Sequence, residues 1–327
     1  MNVRRLIPSA TIAGAAALSL VTLSACSGAS DATNGEKSGG KLDVVASFYP
    51  MQYLAEQIGG DHVAVTTLTK PGVEPHDLEL KPRQASELRR ADVVLYLKGL
   101  QPAVDKAIDQ AGVENTVDAA TLTKLEDHAA HEGESPEEHA DHEGEEHGEE
   151  HEHEGADPHV WLDPVKYTEI AKGVGASLEK ADPAHAATYK KNTEALVTKL
   201  KALDTKFSGG LKTTGTKTFI TTHSAFAYLA ERYGLEQEGV AGVDPESDPS
   251  PARIKELQTI AKKEKVTTVF FETLASDKTA KTLAKDADLK TDVLDPLEGI
   301  TEKSKGDDYI EVMESNLAAL QKALGAK

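Results

Sequence analysis

Residues 157–164 read Asp-Pro-His-Val-Trp-Leu-Asp-Pro, DPHVWLDP, and they decide how the rest of the chain is divided. Each Asp-Pro pair is a turn signal, because the residue before proline resists helix. Between the two turns stand His159 and the chain's only tryptophan, Trp161. On one side lies a tract too rich in His and acid to form core; on the other, Pro164 opens a long helical run. The segment is therefore a junction between two halves, and His159 is placed to meet groups from both.

Working back from the junction, short β-branched runs alternate with helical ones. Strands are predicted at 42–47, 63–69, 92–97 and 113–117, with helices at 50–58, 83–90 and 102–110. Alternation at this spacing argues a parallel sheet with right-handed crossovers. After the second strand comes KPGVEPHDLELKP, residues 70–82, in which three prolines and a glycine pin the backbone around His76. A lone loop histidine is more often just surface. The rigid loop and its place beyond the carboxyl end of a strand favour ligand contact. Glu74 and Asp77 flank His76 as candidate partners for fixing its imidazole tautomer.

Working forward, Pro164 begins a helix to about Lys180, which Asp182-Pro183 interrupts, and a second helical run covers 183–207. At 1.5 Å per residue that run reaches ~36 Å, the width of a small domain, which suits a rod joining two lobes. Alternation then resumes, with strands at 217–222, 235–240, 266–272 and 291–295 and helices at 224–231, 252–263, 278–285 and 307–324. His223, Glu272 and Asp295 each fall at the carboxyl end of a strand, the edge where an α/β lobe presents a ligand. The expected fold is α/β: two βα lobes, each with a central, mainly parallel sheet flanked by helices, joined by one long backbone helix. The expected division is an N-terminal lobe at 42–163, a helical linker at 164–208 and a C-terminal lobe at 209–327.

The net charge of −19 argues against nucleic acid and anionic membrane surfaces as partners, but it is local. Glu126–Glu154 holds 14 Asp/Glu and no Lys or Arg. Within this insert, taken as 126–156, stand His128, His131, His139, His142, His147, His151 and His153. No hydrophobic periodicity survives there, so disorder is expected. The bland reading is an acidic solubilising loop. Imidazole and carboxylate at irregular spacing suit weak, exchangeable metal binding, so the seven histidines are read as an auxiliary metal collector.

The first 25 residues read as a signal segment. Arg4 and Arg5 precede a short apolar run at 10–23, and Leu23-Ser24-Ala25-Cys26 resembles a lipobox, which implies cleavage before Cys26 and lipid attachment to it. Residues 26–41, with almost no large apolar side chain, read as a flexible tether. Cys26 is the only cysteine, so a transition-metal site in the folded part must be built from imidazole and oxygen.

PGVEPHDLELKP, DPHVWLDP, TTHSAFAYLA, FFETLAS and VLDPLEGI, in this order, resemble the cluster A-I metal-binding lipoproteins, the solute-binding subunits of zinc and manganese ABC importers. The likeness runs from about Leu42 to the C-terminus, interrupted by the His/acid insert. It implies metal ligands His76, His159, His223 and Asp295 in the cleft between the lobes, with Glu272 as the alternative fourth ligand and Glu298 as surface. A histidine at 223 resembles the zinc-type rather than the manganese-type site. Three imidazoles and one carboxylate also suit Zn²⁺, whereas Mn²⁺ favours more oxygen. The partners implied are an ABC permease and its ATPase, with the membrane reached only through a lipid anchor on the outer face, and a monomeric state. Two rival readings are an adhesin or metal buffer of the same fold, and a zinc hydrolase with Glu272 or Asp295 as base. No HExxH pair is present for the latter.

Overall fold

The computed structural model describes residues 40–113, 115–128, 156–245, 247 and 249–326. Its first sheet contains β1 (Leu42–Ala46), β2 (Val63–Thr67), β3 (Val93–Tyr96) and β4 (Thr116–Asp118), all parallel in the order β2-β1-β3-β4. The second contains β5 (Thr218–Thr221), β6 (Glu236–Gly239), β7 (Thr268–Phe271) and β8 (Lys290–Val293) in the equivalent order, β6-β5-β7-β8. Each sheet thus has a switch point, between β1 and β3 and between β5 and β7, where successive crossovers leave in opposite directions and a crevice opens at the strand ends.

The central strands β1, β3, β5 and β7 are largely buried, because both faces of each sheet's middle are covered. Successive side chains point to opposite faces, and the buried sets divide accordingly. Val44, Ala46, Val93 and Leu95 face the large inner core, while Val45 and Val94 join Leu88, Val104 and Ile108 on the outer face. There α2 (Pro82–Arg90) and α3 (Pro102–Ala111) cover the sheet. In the second lobe Phe219 and Phe270 face inward. Ile220 and Val269 face outward to Leu257 and Leu283, which belong to α7 (Pro251–Lys263) and α8 (Lys278–Ala287).

The inner core is one contiguous cluster drawn from both lobes, including Phe48, Met51, Trp161, Tyr167, Phe219 and Tyr309. Three helices carry much of it: α1 (Tyr49–Gly59), α5 (Ala186–Gly210) and α9 (Tyr309–Leu324). Helix α5 packs on α1 in one lobe and on α9 in the other, so it spans both. It begins at Ala186 rather than at Pro183, because the Asp182 carboxylate binds His185 Nδ1 at 2.6 Å and the Tyr189 hydroxyl at 2.7 Å and holds 182–185 as a turn. Its partner α4 (Pro164–Ala181) approaches closely at Gly175, where an added Cβ would lie 2.3 Å from Thr193 Oγ1. The remaining helix, α6 (Ala227–Tyr233), lies between β5 and β6.

Segment 157–164 bridges the lobes. Trp161 is fully buried, donates from Nε1 to the Pro296 carbonyl at 2.8 Å, and accepts the Tyr309 hydroxyl on its own carbonyl at 2.6 Å. Asp163 caps α4 through the Val165 N–H and pairs with Arg232 of α6 at 2.7 Å. Among the described residues no helix is long and apolar enough to cross a membrane. Cys26, and His131, His139, His142, His147, His151 and His153 of the insert, lie outside the described residues.

Candidate metal centre

Three histidines separated by 147 positions in sequence converge where the lobes meet. His76 comes from the loop after β2, His159 from the bridging segment, and His223 from two residues beyond β5. Their ring centroids lie 5.3 Å (76 to 159), 5.3 Å (159 to 223) and 6.3 Å (76 to 223) apart. All three Nε2 atoms turn to one carboxylate oxygen, Glu298 Oε1, at 3.3, 3.2 and 3.4 Å respectively. His159, His223 and Glu298 are buried, and the His76 side chain is 11% exposed.

The opposite ring nitrogens of His159 and His223 are fixed by acids. His159 Nδ1 lies 2.8 Å from Asp157 Oδ1, which also accepts the His159 backbone N–H at 2.9 Å. His223 Nδ1 lies 2.8 Å from Glu272 Oε1, which accepts the Thr222 hydroxyl as well. With Nδ1 protonated against a carboxylate, Nε2 keeps the lone pair that a metal needs, which is the usual support of a ligating histidine. Glu272 and His223 flank the β5/β7 switch point, where the crevice of the second sheet opens.

The carboxylate that meets the three rings is Glu298, which corrects its expected place at the surface. Glu298, expected at the surface, is fully buried and belongs with His76, His159 and His223 to one set of groups spaced to hold a metal. Asp295 does not belong to that set. Its Oδ1 accepts the Leu297 N–H at 2.9 Å, and its Oδ2 takes the Ser304 hydroxyl at 2.8 Å and the Thr273 hydroxyl at 3.2 Å. Its backbone is gripped on both sides by the Asn316 side chain. These bonds hold a tight turn in which Leu297 adopts φ 60°, a left-handed conformation that a branched residue avoids unless its surroundings impose it. Asp295 builds the turn, and Glu298 is the side chain the turn delivers. Glu272, the alternative fourth ligand, holds His223 with one oxygen. It also lies with Glu74 and Glu298 in a second, all-carboxylate group.

Electrostatics follow from this packing. Burial would lower His159 and His223, but the acids against them, Asp157 and Glu298 for one and Glu272 and Glu298 for the other, raise both, His223 well above its ordinary value. Burial likewise opposes a charge on Glu298, yet hydrogen bonds from His159, His223 and His76 hold it well below the usual carboxylate range. Glu74 accepts the His76 backbone N–H rather than its ring, and burial and the nearby Glu298 push its carboxyl up to about 9. Asp77 is not part of either cluster. Among the described buried side chains, one oxygen each of Glu74, Glu272 and Glu298 makes no hydrogen bond, and His223 Nε2 has only its long 3.4 Å contact to Glu298. Unpartnered buried polar atoms are costly, and the ligand atoms that His76, His159, His223 and Glu298 offer all lie within 4.8 Å of one another, a spacing one divalent cation can bridge.

His128, the one insert histidine within the described residues, is not free. Its Nδ1 lies 2.8 Å from Asp157 Oδ2 and its Nε2 3.2 Å from Glu231 Oε2.

Residues 44–323 match the family model described as ZnuA: Zinc-uptake complex component A periplasmic. The chain is 39% identical to the high-affinity zinc uptake system protein ZnuA of Bacillus subtilis, over 93% of this chain and 94% of that protein. It is 38% identical to the zinc-binding lipoprotein AdcA of Streptococcus pneumoniae over 94% of this chain, and spans only 59% of that protein's length. Among solved structures, the Zn(II)-bound ZnuA-like domain of the pneumococcal AdcA superposes with a TM-score of 0.71 at 34% identity, covering 87% of this chain and 99% of that one. The laminin-binding protein Lmb of Streptococcus agalactiae, titled a bifunctional protein with adhesin and metal transporting activity, gives 0.74 at 29% identity, covering 86% and 99%.

Proposed function

We propose, since the chain belongs to the zinc-uptake complex component A family, that its interlobe cleft captures one zinc ion outside the cytoplasm and hands it to a membrane ABC permease driven by a cytoplasmic ATPase. The observation that carries this reading is the convergence of three imidazole Nε2 atoms on one buried carboxylate between two α/β lobes. Three neutral nitrogens and one carboxylate match a closed four-coordinate zinc site, and an oxygen-richer set would suit manganese better. The ligands are His76, His159, His223 and Glu298, with Asp157 and Glu272 orienting two of the rings. A site with four protein ligands keeps no open position for an activated water, so the reading is capture and release rather than hydrolysis.

The lobes share α5 and one core, so opening is a modest tilt about that frame rather than a wide hinge. Lipidation at Cys26, with residues 26–41 as tether, would hold the protein at the outer face of the membrane. The histidines at 131–153, spaced irregularly among acids, would serve as a weaker, auxiliary collector of metal.

Competition calorimetry against a zinc chelator tests the reading. The expected result is one tight equivalent at neutral pH, retained when residues 129–155 are deleted, with weaker equivalents lost. Absence of a tight equivalent in the full chain would overturn it. A deletion strain should grow poorly under zinc limitation and recover with added zinc. Normal growth would favour the adhesin or buffer reading instead.

A further inference from the structure

The His/acid insert leaves and re-enters the fold beside the metal centre, and its two roots are stitched together. The Asp157 N–H donates to the Glu126 carbonyl at 3.0 Å. The Tyr228 hydroxyl accepts the Glu126 N–H at 2.7 Å and donates to the Asp157 carbonyl at 2.8 Å. His128 packs edge-on against the Tyr228 ring with centroids 4.4 Å apart, its side chain 15% exposed. One carboxylate, Asp157, is therefore shared: Oδ2 faces His128 Nδ1 and Oδ1 faces His159 Nδ1, each at 2.8 Å. Asp157 itself is fully buried, so these bonds decide which way its carboxylate points.

We propose that His128 is a positioning residue of the metal centre: it grips Asp157, and through Asp157 it fixes the ring of His159 with Nε2 toward the ion. This rests on the zinc-capture reading and removes His128 from the auxiliary collector. The argument is one of donors and acceptors. A carboxylate buried between two rings has one stable orientation only while both rings donate to it. His128 meets acid at both nitrogens, Asp157 at one and Glu231 at the other, so both carry protons and neither has a lone pair for a metal. Without His128, Asp157 Oδ2 is a buried acceptor with no partner. The carboxylate can then rotate to recover one, and His159 loses the support that selects its tautomer. Outer partners of ligating histidines are worth ~10–100-fold in affinity, and His128 acts one bond further out.

Two substitutions separate the donor from the packing. His128→Phe keeps a ring against Tyr228 and removes the donor; His128→Asn keeps a donor at the position of Nδ1 and removes the ring. His128→Phe should weaken the tight zinc equivalent by about tenfold and shift the visible bands of the Co²⁺-loaded protein, while His128→Asn stays within about threefold of wild type. Tight binding and Co²⁺ bands unchanged in His128→Phe, with the wild-type tight event present, would overturn this inference alone. Equal losses in the two variants would overturn it as well. Loss of the tight event in wild type would sink the capture reading and this inference with it. Independently of any variant, ¹⁵N-edited NMR of the zinc-loaded wild type should show His159 protonated at Nδ1 and ligated through Nε2. Ligation through Nδ1 would refute the proposal.

Discussion

Replacing Glu298 by glutamine removes one negative charge and almost no volume at a fully buried position within 3.4 Å of all three imidazole Nε2 atoms. Two unit charges 4 Å apart at an effective dielectric of 20 interact by ~4 kcal/mol, and a divalent ion ligated there would sit closer than that. At ~1.4 kcal/mol per decade, 4 kcal/mol is about 10³ in affinity. Glu298 also stabilises the protonated imidazoles of the metal-free protein, and losing it raises that state too. The expected net loss for Glu298→Gln is therefore about 10²–10³ in zinc affinity. Asp295→Asn serves as the contrast, because its carboxylate binds the turn rather than the three rings. It should lower stability by ~1–3 kcal/mol, as hydrogen bonds to a charge are weakened, and lower affinity by about tenfold or less. Competition calorimetry gives the affinities and chemical denaturation of the metal-free proteins gives the stabilities. Near-wild-type affinity in Glu298→Gln together with loss of the tight event in Asp295→Asn would refute the assignment.

Zinc affinity should fall as pH falls, beginning above the ordinary histidine value of 6.5, because His159 and His223 are raised and each must lose a proton to bind; an onset below 6.5 in a pH series of competition titrations would contradict this. In the metal-free protein the same raised histidines stabilise the fold below 6.5 and lose that contribution as pH rises through their raised values. Glu298, depressed, stabilises above 4.5 and loses its contribution as pH falls through its lowered value, so metal-free melting temperatures should peak between these limits and decline toward alkaline pH. Trp161, the only tryptophan, has its ring centroid 5.2 Å from that of His159, so its fluorescence should change on zinc addition and saturate at one equivalent; no change during a calorimetrically tight titration would contradict the placement of the ion. Gly175→Ala should destabilise by ~1–3 kcal/mol, since the new methyl meets Thr193 across the α4–α5 contact, and unchanged denaturation would show that the two helices separate freely.

The two-lobe fold was legible because its central strands are buried on both faces. Runs such as Val44-Val45-Ala46 and Val93-Val94-Leu95 send alternate side chains to two different cores, and no amphipathic helix would tolerate that pattern. The histidines were legible from topology: His76 and His223 follow strands, and His159 sits between two turn signals. Glu298 was not. Its delivery depends on Leu297 at a positive φ, and nothing in the side chain of leucine announces that conformation. Asp295, the acid nearest the strand end, was expected to face the three rings, but the carboxylate that meets them is three positions later. What separates them is the crowding of partners around Asp295, the donating hydroxyls of Thr273 and Ser304 and the side-chain amide of Asn316, which only the fold brings together. For the same reason His128 read as one more histidine of an acidic tract, when its partner Asp157 lies 29 positions away.

The zinc-loaded crystal structure, with the ion located by anomalous scattering at the zinc edge, bears most directly on the central claim. The account predicts one ion within ~2.0–2.2 Å of the Nε2 atoms of His76, His159 and His223 and of a Glu298 oxygen, in tetrahedral geometry. An ion bound by Asp295 instead of Glu298, or lying outside the three imidazoles, would contradict it.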